Sequence, residues 1–173
     1  MISLEQKFDS FDEDISNIKI TKQKLGFMFE NNIHEFISQT KYTILREKEI
    51  VNKYSCLAYG IDHLMYLEEC IICIQDKWRS SKPSLSDINH FISAVKYIND
   101  NEFKKCVGIY LSKEPLTAYA SKAFEYENNK KINYFFSVYD NDMDKIIHKI
   151  TKIFYENKIF LYENDGSAIM LYS

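Results

Sequence analysis

Residues 59–67 and 70–78 have the composition of two neighbouring strands, and only Glu68 and Glu69 separate them. Two apolar stretches joined by a two-residue polar loop predict a β-hairpin. With that loop, Asp62 lies directly opposite Gln75 on the paired strand. Strand side chains alternate between the two faces of a sheet, so Lys77 lies on the same face as Gln75. The hairpin therefore predicts that a carboxylate, an amide and an ammonium group converge on one patch of sheet.

Asp62 and Gln75 could together hold a hard cation. Cross-strand neighbours have Cβ atoms about 5 Å apart, which lets a carboxylate oxygen and an amide oxygen bind the same ion. The ordinary alternative is a strand pair with a solvent-facing polar side, where Asp, Gln and Lys are common. The site also depends on the register, because a bulge or a longer loop would move Asp62 away from Gln75. We expect the polar set to lie on an exposed face, where the strand leaves the core.

Size and composition limit the class of protein. A chain of 173 residues with 46% hydrophobic and 15% aromatic content is predicted to form one domain, residues 1–173. The apolar runs are shorter than the roughly 20 residues of a membrane span. The first residues also lack the basic and apolar blocks of a signal peptide. We therefore expect an intracellular protein, cytoplasmic or, in a eukaryotic or viral setting, nuclear.

The four cysteines are predicted to be reduced thiols. Cys70 and Cys73 form a C-x-x-C pattern, but on a strand an odd separation places them on opposite faces. Burial is therefore a better explanation for them than a zinc or redox site.

The net charge of −3 does not by itself indicate a nucleic-acid-binding protein. It does not exclude one, because phosphate contacts depend on local clusters of positive charge. Trp78, Arg79 and Lys82 follow Lys77 and form such a cluster, which makes them candidates for nucleic-acid binding. A solvated basic edge is the alternative explanation for the same residues.

Hydrophobic periodicity predicts the remaining elements. The expected order is an N-terminal helix, a helix at 21–39, a strand at 42–51, the hairpin, a helix at 86–98, a strand at 107–111, a helix at 117–127, a strand at 132–138, a helix at 142–155 and a final hairpin turning at Asn164-Asp165-Gly166. The helix at 21–39 should bury a stripe of Leu25, Phe29, Ile33 and Phe36 or Ile37. This order predicts the α/β class, with a mixed sheet flanked by helices.

Several motifs, in this order and on these elements, resemble the PD-(D/E)XK superfamily of restriction-endonuclease-like nucleases. The motifs are Gly26-Phe27-Met28-Phe29-Glu30, Gly60-Ile61-Asp62, Gln75-Asp76-Lys77 with the helix that follows it, and Gly108-Ile109-Tyr110-Leu111-Ser112. The Q-x-K pattern is similar to the Mrr-like branch. The resemblance covers roughly residues 21–138. It implies a nuclease-like core at 21–140, between an N-terminal helical extension at 1–20 and a C-terminal helix and hairpin at 141–173.

The resemblance also implies roles for individual residues. Asp62 would be the central metal ligand, Gln75 a second ligand in place of the usual acid, Glu30 a carboxylate supplied by the first core helix, and Lys77 the catalytic lysine. No proline precedes Asp62, and neither His63 nor Asp76 corresponds to a position of the pattern. Asp76 is expected to point to the other face of the sheet, which makes its side chain a poor substitute ligand.

The activity implied by the resemblance is a DNA endonuclease that depends on Mg²⁺ or Mn²⁺. The alternatives are a catalytically silent nuclease-fold protein that binds nucleic acid or a protein partner, and a nuclease that acts on RNA. Leu4, Phe8, Phe11, Ile15 and Ile18 form a heptad-like apolar seam in the N-terminal extension. We expect this seam to form the interface of a homodimer, although packing within the same chain would also bury it.

Overall fold

A computed structural model describes residues 22–159. Within this range the helices are α1 Lys22–Ser38, α2 Glu47–Tyr54, α3 Leu85–Glu102, α4 Ala118–Asn129 and α5 Met143–Glu156, and the strands are β1 Thr43–Arg46, β2 His63–Tyr66, β3 Ile71–Lys77, β4 Cys106–Ser112 and β5 Tyr134–Tyr139. The N-terminal helix and the final hairpin predicted from the sequence lie outside the described residues. None of the described helices is long and apolar enough to cross a membrane.

The described strands form one five-stranded sheet in the order in which they occur along the chain. β1, β2 and β3 pair antiparallel, whereas β3, β4 and β5 pair parallel. The parallel pairs need crossovers, and α3 and α4 supply them. The predicted α/β architecture, a mixed sheet flanked by helices, is therefore confirmed.

Helices cover both faces of the sheet. On one face α2, α3 and α4 pack over β2–β5, with side chains such as Ile50, Phe91 and Phe124 in a single apolar cluster. On the other face α1 and α5 bury Ile33 and Ile150, among others, in a second cluster. β3 is covered on both sides, which explains its nearly continuous apolar sequence. The polar residues that end β3 therefore lie between two helical layers.

The register of the hairpin agrees with the prediction. His63 pairs with Ile74 across β2 and β3, and the N–H of Leu67 donates to the carbonyl of Cys70 at 3.0 Å, which closes the Glu68–Glu69 loop. The N–H of Asp62 donates to the carbonyl of Ile74 at 2.8 Å, so one hydrogen bond of the pairing lies before the start of β2. Asp62 consequently faces Gln75, as the two-residue loop predicted.

The strand predicted at 42–51 is wrong after Arg46, where the chain enters α2. Glu47 and Glu49 lie in the first turn of this helix, and the Glu49 carboxylate accepts a hydrogen bond from the N–H of Arg46 at 2.9 Å. Ile50 and Tyr54 are spaced by four residues and are both buried against the sheet. The capping interaction and the helical spacing of the buried residues therefore make this segment a helix. In so short a segment the sequence pattern alone does not distinguish a helix from a strand.

Two other predictions need correction. Residues 59–62 do not belong to a strand, because a 3₁₀ turn at Cys56–Ala58 and a positive φ of 96° at Gly60 precede β2. Leu25 does not join the buried stripe of α1 and is 37% exposed. Cys70 and Cys73 are buried in clusters on opposite faces of the sheet, as their odd separation on a strand predicted.

Candidate active site

Asp62 is the centre of a hydrogen-bonded group at the carboxyl end of β3. Its Oδ2 atom accepts hydrogen bonds from the side-chain amide of Gln75 and from the backbone N–H of Asp76, the latter at 2.6 Å. Gln75 is only 3% exposed, so the expectation of an open polar face is wrong. The crossover helix α3 covers this face, a long-range effect that the hairpin sequence does not contain. Asp62, Gln75 and Asp76 thus lie together between the helical layers, and we call this group the corner.

At Gly60, the loop before β2 packs closely against this corner. Its φ of 96° lies in a region that side chains rarely adopt. A Cβ atom on Gly60 would also lie 2.9 Å from Cδ2 of His90 and 3.2 Å from Oε1 of Gln75. The His90 ring is held in turn by a hydrogen bond between its Nε2 and the carbonyl of Tyr59, at 2.9 Å. Glycine therefore permits the close approach of this loop to the Gln75 amide.

Three carboxyl groups share the corner with little positive charge to balance them. Burial, and then the nearby Asp76 carboxylate, raise the pKa of Asp62 to about 7, although the Asp76 N–H and the Lys77 ammonium act in the opposite direction. Burial, and then Glu30, raise the pKa of Asp76 well above its ordinary value. Like charges held close together in a poorly hydrated place favour binding of a cation.

The donor set suits a hard divalent cation. A half-turn of the Gln75 amide exchanges its nitrogen and oxygen, which would present an amide oxygen beside Asp62. Oδ1 of Asp76 is buried and has no hydrogen-bond partner among the described residues. No three His, Cys, Asp or Glu side chains within residues 22–159 form a metal cage by themselves. Oxygen donors supplemented by water match Mg²⁺ or Mn²⁺ better than Zn²⁺.

α1 brings Glu30 into electrostatic contact with this group. Glu30 is half-buried and contributes to the raised pKa values of both Asp62 and Asp76. It lies four residues before His34 on the same helix, one turn away. Glu30 therefore acts electrostatically on both carboxyl groups from the α1 side of the sheet.

Lys77 is the last residue of β3 and pairs with Ser112 of β4. Its side chain lies on the Gln75 face and is half-buried. It forms no ion pair with any residue of the range 22–159, yet it lowers the pKa of Asp62 and of Asp76. The ammonium is thus close to the carboxyl groups and uncommitted to a salt bridge with any of them.

Sequence analysis left His63 and Asp76 without a role, and the structure pairs them. Nε2 of His63 lies 2.9 Å from Oδ2 of Asp76, and the two side chains are 0% and 3% exposed. The His34 ring stacks on the His63 ring with a centroid distance of 5.6 Å. The hairpin register contained a signal for this pair, because Asp76 lies two residues beyond Ile74, the partner of His63.

The residues predicted to contact nucleic acid have different surroundings. Trp78 stacks on Phe29 of α1 with a centroid distance of 4.4 Å, and Arg79 forms an ion pair with Asp87 in the first turn of α3. Lys82 is exposed on the loop between β3 and α3. Trp78 and Arg79 thus have partners within the protein, and Lys82 presents its charge to solvent.

Comparison with known proteins gives two remote structural similarities. No protein-family model matches the chain, and no curated protein matches it. One similar solved structure is a repair endonuclease from Pyrococcus abyssi, at 14% identity and a TM-score of 0.44, covering 71% of this chain and 49% of that one. The other is the EndoMS–dsDNA2 complex, at 19% identity and a TM-score of 0.44, covering 73% of this chain and 48% of that one. This chain therefore spans about half the length of each protein, and we base its function on the site itself.

Proposed function

We propose that this chain is an endonuclease that hydrolyses phosphodiester bonds in DNA with Mg²⁺ or Mn²⁺ as its cofactor. The observation that supports this most is the grouping of Asp62, Gln75, Lys77 and Glu30 at one corner, where buried carboxyl groups have too little positive charge around them. We place the corner in a restriction-endonuclease-like core of the Mrr-like Q-x-K type, at residues 21–140.

The acidic residues and the amide would hold the cation. Asp62 is the central ligand, Gln75 supplies an amide oxygen, and Glu30 supplies a carboxylate from α1. When bound, the ion stabilises negative charge on the phosphoryl oxygens and lowers the pKa of a coordinated water. Gln75 is neutral where related sites carry an acid, so the ligand set has one negative charge fewer and a correspondingly weaker affinity.

Lys77 would act on the phosphate and the attacking water. Its ammonium is a compact donor that can orient the water and offset charge that develops on the phosphoryl group. Its position two residues after Gln75 puts it on the same face of the sheet as the Gln75 amide.

DNA would reach the corner along the loop that follows β3. Lys82 is exposed there and supplies charge for phosphate contacts, in line with the salt-dependent binding expected of lysines on a nucleic-acid surface. Arg79 and Trp78 complete the proposed surface from positions already fixed by Asp87 and Phe29. The proposed homodimer interface lies in residues 1–20 and stays a prediction that no described residue tests.

The direct experiment is incubation of the purified chain with supercoiled plasmid, branched DNA and RNA, each with Mg²⁺, Mn²⁺ or a chelator. We expect nicked or linear plasmid with either ion and none with the chelator. A melting series in the same buffers should show stabilisation by Mn²⁺, because an ion that binds the folded state raises its stability. Absence of both cleavage and stabilisation would favour the silent binding protein, and cleavage of RNA alone would change the substrate class.

Replacing Gln75 with glutamate should preserve cleavage and strengthen metal binding. The change supplies a second acid beside Asp62, but without metal it replaces the amide hydrogen bond by repulsion between two carboxylates. We therefore expect a lower melting temperature in chelator and a larger increase on adding Mn²⁺ than in the wild type. Gln75→Met, which removes the amide oxygen and the hydrogen bond to Asp62, is the matched control and should lose the metal response. A folded Gln75→Glu protein that cannot cut would show that the neutral amide is required.

A further inference from the structure

The pair His63 and Asp76 is buried on the α1 face of the sheet, beneath the proposed metal site. Both side chains are almost fully inaccessible, with exposures of 0% and 3%. Their cross-strand and same-face neighbours Met65, Ile72 and Ile74 are apolar. Burial of two polar side chains among apolar residues costs free energy unless they are hydrogen-bonded. The presence of His63 and Asp76 here therefore needs a reason other than packing.

The pair is connected to Asp62 through one residue. The Asp76 side chain bonds to Nε2 of His63 at 2.9 Å, while the Asp76 backbone N–H donates to Oδ2 of Asp62 at 2.6 Å. The pairing of β3 with β4 sets the direction of the Asp76 N–H, and the side-chain bond to His63 holds the same residue from the α1 face. The two together limit movement of the N–H that orients the Asp62 carboxylate.

The stacking partner of His63 restricts the ring further. The His34 ring lies at 5.6 Å from the His63 ring with an interplanar angle of 26°. Nδ1 of His63, Nδ1 of His34 and Oδ1 of Asp76 are buried without a hydrogen-bond partner among the described residues. The hydrogen bond to Asp76 thus acts together with the His34 stacking to set the orientation of the His63 ring.

We propose that His63 is a positioning residue of the metal site, which holds Asp76 so that the Asp76 N–H orients the Asp62 carboxylate toward the cation. This inference rests on the proposed function. His63 itself touches neither the ion nor the DNA. Partners that orient a ligand in this way are worth about 10-fold to 100-fold in metal affinity.

The test compares four proteins: the wild type, His63→Asn, His63→Gln and Ile74→Val. The amide of glutamine extends about as far as Nε2 of histidine and can bond to Asp76, whereas the amide of asparagine stops short. Ile74→Val is the stability control, because Ile74 is buried directly across from His63 and loses only one methylene. The readouts are the hydrogen-exchange rate of the Asp76 amide by NMR, the Mn²⁺ dissociation constant and the rate of plasmid cleavage.

We expect His63→Asn to speed exchange of the Asp76 amide at least 10-fold and to weaken Mn²⁺ binding about 10-fold to 100-fold. His63→Gln should stay within about threefold of the wild type in both readouts, and Ile74→Val should change neither, even where its melting temperature falls as far as that of His63→Asn. Equal behaviour of His63→Asn and Ile74→Val would overturn the proposal, as would failure of glutamine to restore the exchange rate.

The hydrogen-exchange rate of the Asp76 amide distinguishes failure of the role proposed for His63 from failure of the proposed function. A wild type that neither binds Mn²⁺ nor cuts DNA would remove the nuclease and with it the metal site that His63 is proposed to serve. A wild type that binds Mn²⁺ while His63→Asn leaves exchange and affinity unchanged would remove only the role of His63.

Discussion

Replacing Asp62 with asparagine should reduce DNA cleavage about 1000-fold or more, a loss of roughly 4 kcal/mol of transition-state stabilisation. Asparagine keeps the shape of the side chain and an oxygen that can accept the hydrogen bond from the Asp76 N–H. It removes the negative charge on which the proposed cation binding depends. Mn²⁺ should therefore no longer raise the melting temperature of the variant.

The same substitution should not destabilise the protein. The folded pKa of Asp62 is raised to about 7 by burial and by Asp76, so the ionised carboxyl group costs stability as the pH rises from about 4 through 7. An uncharged asparagine avoids this cost at neutral pH. In the absence of metal we expect a melting temperature at pH 8 equal to or above that of the wild type.

Asp100→Asn is the matched control for the loss of one charge. Asp100 is exposed on α3, and its substitution should leave cleavage and the Mn²⁺ response unchanged. A folded Asp62→Asn protein that cuts at the wild-type rate would remove Asp62 from the mechanism, whatever the control shows.

The part of the site that could be predicted from the sequence is the part that short-range rules determine. The two-residue loop at Glu68–Glu69 allows one register, and that register places Asp62 opposite Gln75. The burial of Gln75 could not be predicted in this way. It follows from α3, which packs over the face only after the crossover from β3 to β4 is made.

His63 and Asp76 show a second limit of sequence reasoning. The register puts them diagonally across the hairpin, but their importance depends on α1, which seals them from water and stacks His34 on His63. Without that cover they would be two ordinary surface residues. The error at α2 has the opposite origin, since a local capping interaction at Glu49 begins a helix inside the segment predicted as a strand.

Replacing Lys77 with methionine should separate chemistry from metal binding. Methionine keeps an unbranched apolar stem in the half-buried position and removes the ammonium, so cleavage should fall about 100-fold to 1000-fold through loss of charge stabilisation. At pH 8, above the pKa of about 7, the Asp62 carboxylate is largely ionised in the wild type. Since Lys77 is not among the proposed ligands, Mn²⁺ should still stabilise the variant, in contrast to Asp62→Asn.

Two further lysine variants test whether the loss of cleavage is specific to the ammonium group of Lys77. Lys77→Arg should not restore cleavage, because a planar guanidinium cannot take the place of a compact ammonium at this position. Lys82→Met removes the same charge from the exposed loop after β3, and it should weaken DNA binding and its salt dependence while leaving single-turnover cleavage of saturated enzyme close to that of the wild type. Wild-type cleavage by Lys77→Met would exclude it as the catalytic lysine. Loss of the Mn²⁺ response in the same variant would instead show that Lys77 supports cation binding, either through the geometry of Asp62 and Gln75 or by lowering the pKa of Asp62.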